Sequence, residues 1–230
     1  MALIQFGIAV SDARGKLGGV VFSRNRNGAY VRRGTTPVNP NTVAQQERRD
    51  QVMDLSTAWR DLTEAERAGW ENLGDQITRV NKVGNTYTLT GLQAFQSINQ
   101  NRFTNGAALV TTAPILDNPV NVSSITLDAS GGALTLEILA LPVAGSRNYI
   151  YATPPLSAGR NFFGPSEYRL IQIQSGVLAA NPLDIEAGYE AVFGAGIIAA
   201  STNAKISVLL KPVSPNYIAG ATLRADAIIL

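Results

Sequence analysis

GKLGGVVFSRNRNGAYVRRG, residues 15–34, is the stretch of this 230-residue chain whose pattern most directly predicts a local fold. Two runs rich in β-branched and aromatic residues flank the pair Asn27 and Gly28. Two-residue type I′ turns favour Asn-Gly, because both central positions of the turn need positive φ. We therefore predict a β-hairpin over residues 19–33 with Asn27 and Gly28 at the centre of its turn.

The same stretch has five basic residues and no acidic residue. An arginine side chain is a planar fork that pairs with a carboxylate or a phosphate at two points. We expect Arg24 and Arg26 to gather near the turn, and the basic residues to meet an anionic partner. The predicted partner-binding residues are Arg24, Arg26, Tyr30, Arg32 and Arg33. Three interpretations stay open: a protein subunit, nucleic acid, and a solvated hairpin whose charges prevent aggregation.

Composition narrows the function classes. The chain has no cysteine and no histidine, which excludes disulfides, cysteine nucleophiles, Ser-His-Asp triads and histidine zinc motifs. We expect no enzymatic activity, no catalytic residue, no metal and no cofactor. The net charge of +2 is uneven, since residues 1–50 alone carry a net charge of +5. Lysine is scarce, with four in the chain, which makes nucleic acid the less favoured partner.

The first 15 residues, MALIQFGIAVSDARG, lack a basic segment ahead of their apolar run. No apolar run in the chain reaches the ~18 residues that a membrane span needs. We expect neither a signal peptide nor a membrane partner.

Helical signals follow the hairpin. The segment PVNPNT at 37–42 predicts a stiff break, and a helix is expected from Thr42 to about Trp59. The sequence TEAE at 63–66 is a capping box that starts a second helix. A third helix is expected near Thr90. Residues 1–110 are thus predicted to form a basic hairpin arm with a small helical docking domain.

The hydrophobic period changes to two in residues 115–230, where short alternating segments are separated by Gly, Pro and Asn every ~8–12 residues. This spacing predicts an all-β sandwich of the immunoglobulin or fibronectin type III kind, and so an α+β chain overall. An aromatic loop with Phe162 and Phe163 is expected either to contact a partner or glycan or to cap the sandwich core. The predicted strands are 122–128, 133–140, 147–153, 167–174, 189–193, 204–211 and 221–229.

Four segments carry a family likeness: GKLGGVVFSRNRNGAYVRR, PVNPNTVAQQERR, AWRDLTEAERAGW and TGLQAFQSINQNR. As a series they resemble small proteins encoded in tailed-phage and prophage genomes, some of them among virion structural genes. The likeness covers about residues 14–106. The following part, with YATPPLSAGRNFF at 151–163, resembles the accessory immunoglobulin-like domains of phage virions.

The resemblance implies a non-enzymatic virion structural protein that is made in the host cytoplasm and resides in the virion. A capsid decoration protein is the expected role, docked by its basic arm to neighbouring capsid or tail subunits and forming a homo-oligomer. A tail or head-tail connector component is the alternative within this class. A nucleic-acid-binding module that uses the same arginines is the alternative from another class.

Overall fold

The protein is described here from a computed structural model, which defines residues 2–8, 10–25, 28–81, 84–117, 122–139, 144–175 and 181–230. Helix and strand take similar shares, 29% and 32%, so the chain has a mixed α and β fold. Contacts cluster into two compact units, residues 1–96 with 110–113, and residues 97–109 with 114–230. The predicted domain division between residues 110 and 115 stays a prediction.

The first unit contains one antiparallel four-stranded sheet, two helices and the start of a third, and one short β-ribbon. Its elements are β1 (Ala2–Ile4), β2 (Gly15–Leu17), β3 (Val20–Asn25), β4 (Gly28–Arg33), α1 (Val43–Asp61), α2 (Glu64–Gln76), β5 (Thr78–Val80), β6 (Thr86–Thr88) and the first six residues of α3 (Gly91–Thr104).

The predicted hairpin corresponds to β3 and β4, but its register differs from the prediction. Gly28 pairs with Asn25 across the hairpin, so Gly28 begins a strand and is not a central turn residue. It uses the freedom of glycine there, with φ of +114°. The prediction of an Asn27-Gly28 turn centre is therefore wrong. The two residues between the strands, 26 and 27, lie outside the described residues.

The helical core of the first unit is built around Trp70. Its side chain is fully buried and meets the ring of Phe95 edge-on, with 5.2 Å between ring centroids. The indole Nε1 donates a hydrogen bond to the backbone oxygen of Thr111. The predicted capping box is confirmed, since Thr63 and Glu66 exchange hydrogen bonds at the start of α2. Caps and an apolar stripe thus fix α1, α2 and α3 close to the predicted positions.

The second unit holds the rest of α3 and two antiparallel sheets with two short helices. Its further elements are β7 (Ser124–Asp128), β8 (Thr135–Leu139), β9 (Arg147–Ala152), β10 (Leu156–Ser157), β11 (Arg169–Ser175), β12 (Leu183–Asp184), α4 (Glu186–Phe193), α5 (Ile197–Ala200), β13 (Ala204–Val213) and β14 (Leu223–Ile228).

The ten-residue strand β13 organises the larger sheet. It pairs with β14 on one edge and with β9 and β10 on the other, and β11 extends the sheet beyond β9. The smaller sheet has the order β12-β8-β7. Inward side chains of both sheets share one core, including Leu136, Ile138, Ile150, Val208 and Leu210, all fully buried.

Two helices correct the prediction that this part is all-β. The predicted strand at 189–193 is wrong, because these residues belong to α4. Tyr189 and Phe193 are four residues apart, and their rings touch on one helix face with centroids 4.7 Å apart. Tyr189 is fully buried in the core shared by the two sheets, as is Ile198 of α5. A short apolar run does not by itself distinguish a strand from a buried helix turn.

A buried polar network fastens the end of α3 to the larger sheet of the second unit. The Tyr149 hydroxyl donates to the backbone oxygen of Asn101 at 2.7 Å, and burial raises the pKa of Tyr149 to about 12. The Asn101 amide donates to the Tyr217 backbone oxygen, and Lys211 donates to the Asn101 side-chain oxygen, each at 2.8 Å. The guanidinium carbon of Arg147 also lies over the Tyr217 ring, 4.3 Å from the ring centroid.

Candidate docking surface

The described side chains of the sheet formed by β1 to β4 build no core of their own. Among the described residues from Leu3 to Asp54, no side chain is buried. Apolar side chains are nevertheless present: Leu17 is 75% exposed and Val20 is 38% exposed. A sheet of this size normally needs one covered face to be stable in water. An uncovered sheet with exposed apolar and basic groups is therefore a candidate surface for a partner.

The strand register assigns the side chains to two faces, because cross-strand partners share a face and neighbours along a strand alternate. We call the first the arginine face; it carries two arginines at the ends of an apolar row. Its residues are Ile4, Leu17, Val20, Phe22, Arg24, Val31 and Arg33. We call the second the tyrosine face, and its residues are Leu3, Lys16, Val21, Ser23, Tyr30 and Arg32.

The predicted partner-binding residues are therefore divided between the two faces of the sheet. Arg24 lies near the turn and Arg33 at the far end of the same face, while Tyr30 and Arg32 lie on the other face. Strand β4 carries Arg32 and Arg33 away from the turn, whereas Arg24 lies beside it. Arg26 lies outside the described residues.

The sheet's cations are not neutralised locally. Arg24, Arg32, Arg33 and Lys16 are all exposed. Among the described residues, no ion pair connects any of these four side chains to an acid. The charge of this surface is therefore available for a contact outside the chain.

An acidic stripe runs along α1 of the same unit. Glu47, Asp50, Asp54 and Asp61 are all exposed, and no ion pair within the described part of the chain neutralises them. At 100° per residue the four carboxylates fall within an arc of about 60° on the helix surface. The spacing of the acids by three, four and seven residues indicates in the sequence that they share one face of a helix. Our sequence reasoning missed it because it followed only the apolar side chains of the helix.

The second unit offers a different candidate at its aromatic loop. The two neighbouring phenylalanines have opposite roles, since Phe162 is 74% exposed and Phe163 is 6% exposed. Three cations lie within about 6 Å of the centroid of the Phe163 ring. The nearest is the guanidinium carbon of Arg224, which is 4.6 Å from that centroid. The other two are Arg160 and Lys205, each at 5.9 Å. Phe163 is therefore buried beneath cations on the outer face of the larger sheet, while Phe162 is the one available for contact.

Hydrogen bonds hold Arg224, the β14 cation beside Phe163, in place. The Arg224 guanidinium donates to both carboxylate oxygens of Asp226, and the Ser207 hydroxyl donates to the same carboxylate at 2.6 Å. Partial burial opposes ionisation of Asp226, but the bonds from Arg224 and Ser207 outweigh it and hold the pKa of this carboxyl below its usual value. Arg224 also donates to the backbone oxygen of Asn161 at 3.5 Å, which links this ion pair to the aromatic loop.

Beside this loop the outer face of the larger sheet forms a shallow groove. Tyr151 and Leu209 come from adjacent strands, and Tyr168 borders them from the loop. The groove is small and mostly apolar, with Lys211 as its cation. Its lining is suited to an apolar contact.

The described part of the chain gives no support for a metal site or a membrane span. No three acidic side chains in the described ranges lie close enough together to hold a metal ion. No helix among the described residues is both long enough and apolar enough to cross a bilayer. Comparison with protein-family models, curated proteins and solved structures found no match to this chain.

Proposed function

We propose that this chain is a non-enzymatic structural protein of a tailed-phage virion, and that the sheet of β1 to β4 is its docking surface. Capsid decoration is the role we favour, with the sheet on a neighbouring virion subunit. The observation that carries the proposal is a four-stranded sheet in which none of the described side chains is buried, and in which the described arginines on both faces form no ion pair with a described acid. Such a sheet gains its missing contacts when a partner covers it.

The second unit supports an exposed, outward role in the same proposal. Two antiparallel sheets sharing one core are compatible with a distant immunoglobulin or fibronectin-like sandwich, to which α4 and α5 are added. This unit has its own large core, so it does not need the partner that the first sheet needs. A decoration protein with one anchoring part and one projecting part fits this contrast.

The test uses the variant R24E/R33E in the full chain. Both side chains are exposed and unpaired, so the variant should unfold at the wild-type temperature when isolated. Particles assembled in its presence should contain at most a small fraction of the wild-type amount of the chain. The matched control is R60E/R79E, which makes the same charge change on α1 and β5 and should be incorporated normally. Normal incorporation of R24E/R33E would remove the docking role from the arginine face.

The copy number of this chain in the particle distinguishes a decoration protein from a tail or connector component. A decoration protein is present in fixed proportion to the main shell subunit, whereas a tail or connector component is present in the low copy number of a ring. Quantitative gel densitometry of purified particles distinguishes these outcomes.

The nucleic-acid alternative makes its own measurable prediction. Phosphate contacts release counterions, so duplex binding by the sheet arginines would weaken log-linearly with salt concentration. A steep slope that R24E/R33E flattens would favour that function over docking to a protein.

A further inference from the structure

Two exposed surfaces of opposite charge belong to the first unit. The arginine face presents Arg24 and Arg33, and the acidic stripe presents Asp50, Asp54 and Asp61. Within the described residues none of these five side chains forms an ion pair. A single chain therefore carries both halves of a complementary charge pattern and leaves both unused.

The spacing of the charges is compatible between the two surfaces. Arg24 and Arg33 lie on adjacent strands with an offset of four residues, which places their Cα atoms about 14 Å apart. Along α1, Asp54 and Asp61 are about 10 Å apart and Asp50 and Asp61 about 16 Å. Arginine side chains are long enough to accommodate the remaining difference.

Apolar groups accompany the charges on both sides. Leu17 and Val20 lie on the arginine face and are 75% and 38% exposed. On α1, Val43 is 70% exposed and in line with the acidic stripe, and Met53 beside it is 61% exposed. Protein–protein interfaces combine apolar contacts with polar groups at their edges, and both surfaces offer the two kinds of group.

We infer that the arginine face of one copy docks on the acidic stripe of a second copy. The inference rests on the proposed function, because it names the partner of the docking surface given there. The two surfaces are different, so the contact is heterologous: each copy uses its sheet toward one neighbour and its α1 toward another. Repeated contacts of this type form a ring when the rotation closes and a filament when it does not.

The test measures self-association of the purified full chain by light scattering after size exclusion. The wild type should form assemblies larger than the 24.4 kDa chain at ~0.05 M salt and dissociate toward monomer at ~0.5 M, because salt screens exposed charge pairs. The variants R24E/R33E and D50K/D54K should each weaken self-association by roughly 100-fold or more. The chain that carries all four reversals should associate again, because its charge pattern is complementary with opposite polarity.

The control variant D128K/E137K reverses two exposed acids of the smaller sheet and should associate as the wild type does. A wild-type chain that stays monomeric at low salt overturns the inference. Assemblies that persist in D50K/D54K also overturn it, since another surface then holds the copies together. In both cases the proposed function survives if R24E/R33E is still lost from particles, and then the sheet binds a different virion subunit.

Discussion

Replacing Trp70 by alanine should remove most of the stability of the first unit. The side chain is fully buried, and its edge contact with Phe95 joins α2 to α3. Truncating a buried tryptophan costs ~3–5 kcal/mol. The loss also leaves the Thr111 carbonyl without its indole donor, which adds about 1–3 kcal/mol if water cannot replace it. Since a domain has only about 5–15 kcal/mol to lose, we expect W70A to be unfolded or close to it.

Tryptophan fluorescence during urea unfolding is the direct assay. The chain has two tryptophans, Trp59 and Trp70, and both belong to the first unit. Trp59 therefore remains as a reporter of that unit in the variant. W70F should be milder, about 1–3 kcal/mol, because it keeps a ring beside Phe95 and loses the hydrogen bond. M53A, at a residue 61% exposed on α1, is the control and should change stability by less than about 0.5 kcal/mol.

A transition of W70A within about 1 kcal/mol of the wild type would refute the reasoning, because 1 kcal/mol is far below the cost of a buried tryptophan. It would mean that α2 and α3 are not held together by this contact. The first unit would then need another source of stability. Its helices could no longer be described as a stable core that contrasts with the sheet of β1 to β4.

Three further predictions concern the second unit. D226N should lower the free energy of unfolding by ~1–3 kcal/mol at neutral pH, as measured by urea titration. The folded-state pKa of Asp226 lies below the ordinary 3.8, so the difference between wild type and D226N should be present above pH 3.8. It should vanish as the pH falls through the folded-state pKa, which urea titrations at several pH values would show. F163A should cost ~3–5 kcal/mol in thermal or urea unfolding and F162A less than about 0.5, because only Phe163 is buried; equal effects would contradict the assignment of the loop. G188A should destabilise by ~1–3 kcal/mol, since its Cβ would lie 2.7 Å from a backbone oxygen of β11, whereas G159A meets nothing and should be neutral in the same assay.

Local signals explain which helices the sequence could predict. The first three helices have caps and apolar stripes that lie within one segment, so the sequence predicts α1 to within about two residues at each end and the starts of α2 and α3 to within about one residue. The helix α4 has an eight-residue span without a side-chain cap, and its apolar run suits either structure. Its helical state is decided by contacts with residues distant in the sequence, which periodicity does not reveal.

The sequence also does not predict which strand residues pair with one another. It predicts the β3–β4 hairpin, but Asn25 pairs with Gly28, so the strands meet one residue earlier than a turn centred on Asn27 and Gly28 requires. The pairing of β9 with β13 spans about 60 residues of chain and has no local signature. In the aromatic loop, neighbours at 162 and 163 point to opposite environments, and no composition rule decides which of the two is buried.

For the candidate site, the sequence predicted the residue types better than their arrangement. It identified the arginines as the feature to explain, and the structure adds that Arg24 and Arg33 share one face while Arg32 lies on the other. The faces follow only from the register of four strands, two of which are three residues long. The absence of any buried side chain in the described part of that sheet was not predictable, because its apolar residues have the pattern of a covered strand.

The most direct test of the central claim is the amount of this chain in purified particles of its source. The account predicts that the chain copurifies with the particles in a reproducible ratio to the main shell subunit, and that R24E/R33E abolishes this while the isolated variant remains folded. A chain that is produced in the cells but absent from washed particles would contradict the account, whatever its affinity for itself or for nucleic acid.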